Sequence, residues 1–138
     1  MDASYIAWSR CPRWLAIESP QMILVAVDDL LFSSKIRTTA KQAGVELAFA
    51  RTPAEILTQA RALKPALIIF DLNASKTDPI NTVNALRQDP ELAAVPTMGF
   101  VSHVDTRTIV AARDAGVDEV MARSAFAANL DKILTGAR

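Results

Sequence analysis

Apolar residues along this chain gather in short, dense runs, and the stretches between them place apolar side chains at helical spacing. The runs are Ile23 to Val27, Val45 to Ala50, Ala66 to Phe70, Thr97 to Val101 and Glu119 to Ala122. A strand covered on both faces reads as such a nearly continuous apolar run. The second run is weaker and alternating, as suits an edge strand. Between the runs lie helix signals. Leu31 to Ala43 keeps helical spacing and stops at Gly44, a natural residue beyond a helix end. Thr52, Pro53 and Glu55 supply a cap, a proline at the first helical position and a glutamate placed for a capping box. Asp78 and Pro79 repeat the cap-then-proline device before a segment whose Ile80, Val83 and Leu86 share one face. Asp105 or Thr106 starts a helix that ends at Gly116, and Ser124 to Leu134 reads as one closing helix.

Strand and helix thus alternate with short connections, the pattern of a parallel sheet with crossover helices. Right-handed crossovers and helices on both faces favour an α/β, doubly wound five-stranded parallel sheet in strand order 2-1-3-4-5.

Composition narrows the function classes. Lys plus Arg and Asp plus Glu each number 15, so the formal net charge is zero and no polyanion partner is indicated. One cysteine, Cys11, excludes an intramolecular disulfide and a thiolate zinc cluster, and one histidine, His103, excludes His-rich metal sites. No apolar run approaches the ~20 residues of a membrane span, and the chain reads as a cytoplasmic globule. Residues 1–21 hold both tryptophans, show no period and end in Ser19-Pro20. They are read as an N-terminal extension before a domain spanning 22–138. A surface-packed extension, a partner-binding tail and a misassigned start all remain open, whereas a secretory signal does not fit.

The chemistry is concentrated at strand ends. Asp28 and Asp29 follow the first strand and Asp71 ends the third, and in the order 2-1-3-4-5 these strands are neighbours. Ligands in open α/β sheets gather at such carboxyl ends. Carboxylates a few ångströms apart raise one another's pKa, and an all-oxygen cluster suits Mg²⁺ or Mn²⁺ rather than zinc. Helix capping by Asp28 or Asp29 is the plainer reading; it covers one of them and leaves the acid on strand three unexplained. Ser102, His103 and Asp105 do not form a hydrolase triad, whose members are neighbours in space rather than in sequence, and no G-x-S-x-G elbow is present. A nucleotide loop after strand one is excluded, because Asp28 and Asp29 stand where glycines would cradle phosphate.

From about Met22 to Leu134 the chain resembles the receiver domain of two-component response regulators, the CheY-like superfamily. The resemblance is carried by "VDD" after strand one, "IIFD" closing strand three, "DLNASKTDPI" with Asn73 and Asp78 following Asp71 at the usual intervals, then "AVPTMGF", "AARDAGVDEVMAR" and the last helix. It implies a flavodoxin-like fold and a phosphorelay role without enzymatic turnover of a separate substrate. It further implies phosphoryl acceptance on Asp71, and Mg²⁺ or Mn²⁺ held by Asp28, Asp29, Asp71 and the backbone carbonyl of Asn73. A sensor histidine kinase or phosphotransfer protein would be the donor and a downstream protein the target, with no nucleic acid and no membrane partner. By analogy the output surface spans Asp105 to Leu134, with His103, Arg107 and Phe126 as candidate contacts.

Several positions depart from the family pattern. Arg123 and Ser124 stand where receivers carry a lysine and a proline. Without the proline, a cis bond there costs roughly 3 kcal/mol, so a trans bond and a rearranged loop from Arg123 to Phe126 are expected. The hydroxyl residue of strand four is replaced by Val101, and Ser102 reaches phosphate only if the strand ends early or bulges. Arg123 and Ser102 are the phosphate-contacting candidates. Val120 replaces the usual aromatic switch residue, and Ser75 and Pro79 differ in the loop after Asp71. The alternative is a pseudo-receiver that acts as an adaptor regardless of phosphorylation.

Overall fold

A computed structural model describes residues 22–74, 76–102 and 105–136. The expectations placed on residues 1–21, on Ser75 and on His103 lie outside the described residues. Strands β1 (Met22–Ala26), β2 (Glu46–Phe49), β3 (Leu67–Asp71), β4 (Thr97–Val101) and β5 (Glu119–Ala122) alternate with helices α1 (Leu30–Ala43), α2 (Pro53–Leu63), α3 (Pro79–Gln88) and α4 (Thr106–Ala115). Two short helices, α5 (Arg123–Ala128) and α6 (Leu130–Gly136), follow β5. All strand pairs are parallel, and the spatial order is β2-β1-β3-β4-β5, as the sequence pattern predicts.

The two-residue period of the strands divides the core into two layers. Ile23, Val25, Ile69 and Phe100 point to one face and pack with Phe32 and Ile36 of α1 and with Phe126, Leu130 and Leu134 of α5 and α6. Leu24, Ala26, Ile68 and Phe70 point to the other, against Ile56 of α2, Val83 and Leu86 of α3 and Ala112 of α4. Each fully buried Leu, Ile or Phe contributes about 2 kcal/mol of transfer free energy. Both faces being covered is why β1 carries no polar residue and β3 none before Asp71.

Local chemistry sets most helix ends. The Thr52 hydroxyl accepts from Glu55 N at 3.2 Å, and Glu55 reaches back to Arg51 N at 3.0 Å. Asp105 caps α4 through Arg107 N. Gly44 (φ 75°) and Gly116 (φ 115°) end α1 and α4 in the left-handed region that lacks a Cβ penalty.

Three expectations are corrected. Asp78 does not cap α3: it takes φ 43°, ψ 63°, and its carboxylate accepts from the Asn81 side chain instead. A residue before proline is kept out of the right-handed helical region, and the tight entry to α3 is made with Asp78 left-handed. The closing helix is also not continuous. The Asn129 amide donates to Ala125 O at 2.9 Å, competing with the backbone ladder, and α5 ends there before α6 begins. The loop expected from Arg123 to Phe126 is absent, since α5 starts at Arg123 directly from β5. No cis peptide bond occurs among the described residues, so the Arg123–Ser124 bond is trans.

The loop before α3 contains a polar group at a cost. Thr77 is fully buried, and its hydroxyl finds no hydrogen-bond partner among the described residues. Thr77→Val keeps the shape and removes the unpaired oxygen. The variant is expected to be more stable by about 1 kcal/mol, read as a melting temperature a few degrees higher. An unchanged or lower melting temperature would show that the hydroxyl is satisfied.

Among the described residues no helix is long and apolar enough to cross a membrane.

Candidate functional site

β1 and β3 are hydrogen-bonded neighbours, in register from Ile23↔Leu67 to Ala26↔Phe70, so their carboxyl ends emerge side by side. β1 delivers Asp28 and Asp29 to this rim and β3 delivers Asp71. Asp71 is the last residue of β3 and only 7% exposed; its neighbour in β4 is Phe100. The Asp71 carboxylate accepts from Asn73 N at 3.0 Å. Burial pushes this carboxyl above the usual carboxylate range. The Asn73 N–H and the Arg123 charge pull it back, and the charges of Asp28 and Asp29 add to the push. Asp28 and Asp29 thus add to the effect of burial on Asp71, as minor contributors.

Asp29 is placed differently from the expectation. One carboxylate oxygen caps α1, accepting from Leu31 N at 3.0 Å and Phe32 N at 3.1 Å. The other accepts from Arg123 Nη2 at 2.7 Å. The guanidinium hydrogen bond is the leading reason that the Asp29 carboxyl lies below its ordinary range, with the Phe32 N–H next, against a smaller effect of burial. Among the described residues no group of three or more His, Cys, Asp or Glu side chains is arranged to hold a metal ion. A divalent ion shared by all three acids would have to compete with Arg123 for Asp29. Asp28, half-buried, has no side-chain partner among the described residues.

The remaining candidates surround these acids. β4 ends at Val101, whose side chain is buried in the α2–α4 layer, and Ser102 begins the following bend. The strand runs its full expected length, and Ser102 is exposed, with its Oγ 3.4 Å from Arg123 Nη1. Ser102 N donates to Asn73 Oδ1 at 2.6 Å, tying the loop after β3 to the end of β4. Val120 packs against the core, and no aromatic residue stands at its position. An aromatic cluster lies elsewhere, with Phe32, Phe100 and Phe126 ring centroids 4.7–5.7 Å apart. Phe126 is fully buried in it, which corrects its assignment to a partner surface; Arg107 is exposed. The i, i+4, i+8 spacing of Phe126, Leu130 and Leu134, which share one core layer, was the signal that could have placed Phe126 inward.

Two features were not anticipated from the sequence. The Arg123 guanidinium lies over the Phe32 ring, 4.2 Å from its centre. Gly99 of β4 makes room for Leu72, the residue after Asp71: a Cβ at Gly99 would fall 2.7–2.9 Å from three Leu72 side-chain atoms. No local motif marks either one, since both are contacts between separate elements.

The donors at this rim are oxygens, the chemistry of a hard divalent cation. Asp28, Asp29, Asp71 and the main-chain carbonyl of Asn73 are the oxygens that would hold such an ion, with one Asp29 oxygen already paired to Arg123.

Comparison with known proteins bears on the same residues. The family model described as "Response regulator receiver domain" matches residues 23–135. The transcriptional regulatory protein PrrA of Mycobacterium tuberculosis is 31% identical over 114 residues, covering 83% of this chain and 48% of PrrA. The chain therefore spans about half the length of the curated relatives it matches. Among solved structures, the chemotaxis response regulator CheY4 of Vibrio cholerae superposes with TM-score 0.75 at 18% identity, covering 87% of this chain and all of CheY4 (100%). The Mn²⁺-bound form of response regulator Rcp1 superposes with TM-score 0.70 at 19% identity, covering 83% of this chain and 91% of Rcp1. At these identities the superpositions bear on fold.

Proposed function

The chain belongs to the response regulator receiver family of two-component signalling, and from that premise we propose that it accepts a phosphoryl group on Asp71 with a divalent cation and signals through protein contacts. The observation that carries this reading is the placement of Asp71: a nearly buried carboxylate at the tip of a rigid central strand, beside the acidic end of β1. A carboxylate buried there at a cost in stability is the mark of a group kept for chemistry.

In this reading an Asp71 oxygen attacks phosphorus in line. The new O–P bond forms as the bond to the donor's imidazole nitrogen breaks, and that electron pair leaves with the imidazole. The donor is a histidine kinase or a phosphotransfer protein. The Asn73 N–H orients the nucleophile, and Ser102 and Arg123, whose side chains meet at 3.4 Å, would donate to the phosphoryl oxygens. Asp28 and Asp71 would hold the cation, which supplies charge neutralisation of the transferred group. Binding of Mn²⁺ by Rcp1, a protein of the same fold, supports a divalent ion here.

Mg²⁺ followed by beryllofluoride, a phosphoryl mimic, tests the proposal by NMR. Amide shifts are expected to change around Asp71, Asn73 and Ser102 on adding beryllofluoride. Absence of any change at saturating Mg²⁺ would overturn phosphoryl acceptance and leave a phosphorylation-independent adaptor.

A further inference from the structure

Asp29, Arg123 and Phe32 form a closed arrangement that the family reading does not require. Both Asp29 oxygens are engaged, one by the first N–H groups of α1 and the other by Arg123 at 2.7 Å. Phe32 donates its N–H to the same carboxylate whose guanidinium partner rests on its ring. The ring cannot easily give way, because Phe32 is 8% exposed and braced by Phe100 at 5.1 Å and Phe126 at 5.7 Å. A guanidinium over an aromatic face is attracted by the ring quadrupole, and its planar fork suits a carboxylate better than an ammonium does. A lysine would have neither advantage to the same degree.

We propose that Phe32 and Arg123 act as a clasp that withholds Asp29 from divalent cations and so sets the metal affinity of the acidic site. The inference rests on the proposed function only in placing a cation at this rim. A Mg²⁺ ion needs carboxylate oxygens at about 2.0–2.1 Å in near-octahedral geometry. It cannot take the Asp29 oxygen that Arg123 holds without bringing two positive charges together. Binding of the metal and of the guanidinium to Asp29 therefore oppose each other. With the clasp closed, the ion has Asp28 and Asp71 alone among the acids. Arg123 is the competitor, and Phe32 is a positioning residue that keeps the competitor in place.

Mg²⁺ titration by calorimetry, with NMR of the Arg123 Nε–Hε group, tests the clasp on the whole chain. Arg123→Ala is expected to bind Mg²⁺ about tenfold more tightly than the wild type, the effect of removing an ion pair and a stacking contact. Phe32→Leu leaves the net charge unchanged and keeps an apolar side chain in the core, and it is expected to tighten binding about threefold. By reciprocity, Mg²⁺ added to the wild type should shift the Arg123 Nε–Hε signal. An unchanged affinity in Phe32→Leu, with tightening confined to Arg123→Ala, would mean simple charge repulsion and no clasp. Unchanged or weaker binding in Arg123→Ala would also overturn it. These outcomes are distinct from the beryllofluoride result: a chain that answers beryllofluoride but whose variants bind Mg²⁺ like the wild type keeps its function and loses the clasp.

Discussion

Asp71→Asn is expected to abolish phosphoryl incorporation and the beryllofluoride response while making the protein more stable. The loss follows from chemistry: an amide oxygen is no nucleophile toward phosphorus, and no other carboxylate here ends a central strand. Incubation with a phosphorylated donor and separation of the phosphorylated form measures it; incorporation in the variant equal to wild type would move the acceptor elsewhere. The gain in stability follows from burial. Asp71 is 7% exposed, and its carboxyl is raised above the usual range first by desolvation and also by Asp28 and Asp29. A carboxyl whose folded pKa exceeds its unfolded value binds its proton more tightly when folded. Its contribution to stability is complete below the unfolded pKa and is lost as pH rises through the folded pKa. Asn does not titrate, retains an oxygen for the Asn73 N–H, and escapes that loss. Wild type and variant should therefore differ little in acid. Above the raised pKa the variant should be the more stable by about 1 kcal/mol, or about 4 °C in melting temperature. Equal melting temperatures at neutral pH would show that Asp71 is not strained by its surroundings.

The largest loss of stability is expected at Arg87, far from the acids. Its guanidinium donates to Gly116 O at 2.7 and 3.0 Å, Ala93 O at 2.7 Å, Val95 O at 2.9 Å, Thr97 Oγ1 at 2.9 Å and Asp118 Oδ2 at 3.0 Å. It thereby joins the end of α3, the connection into β4, the first residue of β4 and the turn between α4 and β5. Asp118 completes the set by accepting from Thr97 N at 2.8 Å. Gly116 belongs to the same construction, since a Cβ there would lie 2.8 Å from Arg87 Cγ. Arg87→Met retains an apolar stem and removes every donor. Partly buried carbonyls and the Asp118 charge then lack their partner, a loss of about 3 kcal/mol. The melting temperature should fall by roughly 10 °C. A fall no larger than that of an ordinary surface substitution would show that water replaces the guanidinium at little cost.

Much of the architecture was readable from one dimension. The apolar runs at β1, β3 and β4, the alternation that sorts Ile23 and Val25 from Leu24 and Ala26, and the stops at Gly44 and Gly116 follow from periods and backbone preferences that act within a few residues. Strand order followed from crossover handedness, and it brought Asp28, Asp29 and Asp71 to a common rim before any side chain was placed. Local rules failed where two local preferences competed: Asp78 and Pro79 looked like a cap, and the proline's steric demand prevailed; Asn129 sat inside a helical pattern, and its side chain ended the helix.

What tertiary structure alone decided is which charge meets which. Arg87 reads in the sequence as an ordinary basic residue in the last turn of a helix, and nothing near it forecasts Gly116 and Asp118 as partners. Arg123 and Asp29 are 94 positions apart, and their contact depends on β1 and β5 being held at set places in one sheet. Periodicity and capping are properties of neighbouring residues, so the sequence displays them directly. An ion pair or a ring stack between distant elements exists only after packing has fixed those elements to within an ångström or so, and that is why the acids and Arg123 were foreseen at one site while the contact of Arg123 with Asp29 was not.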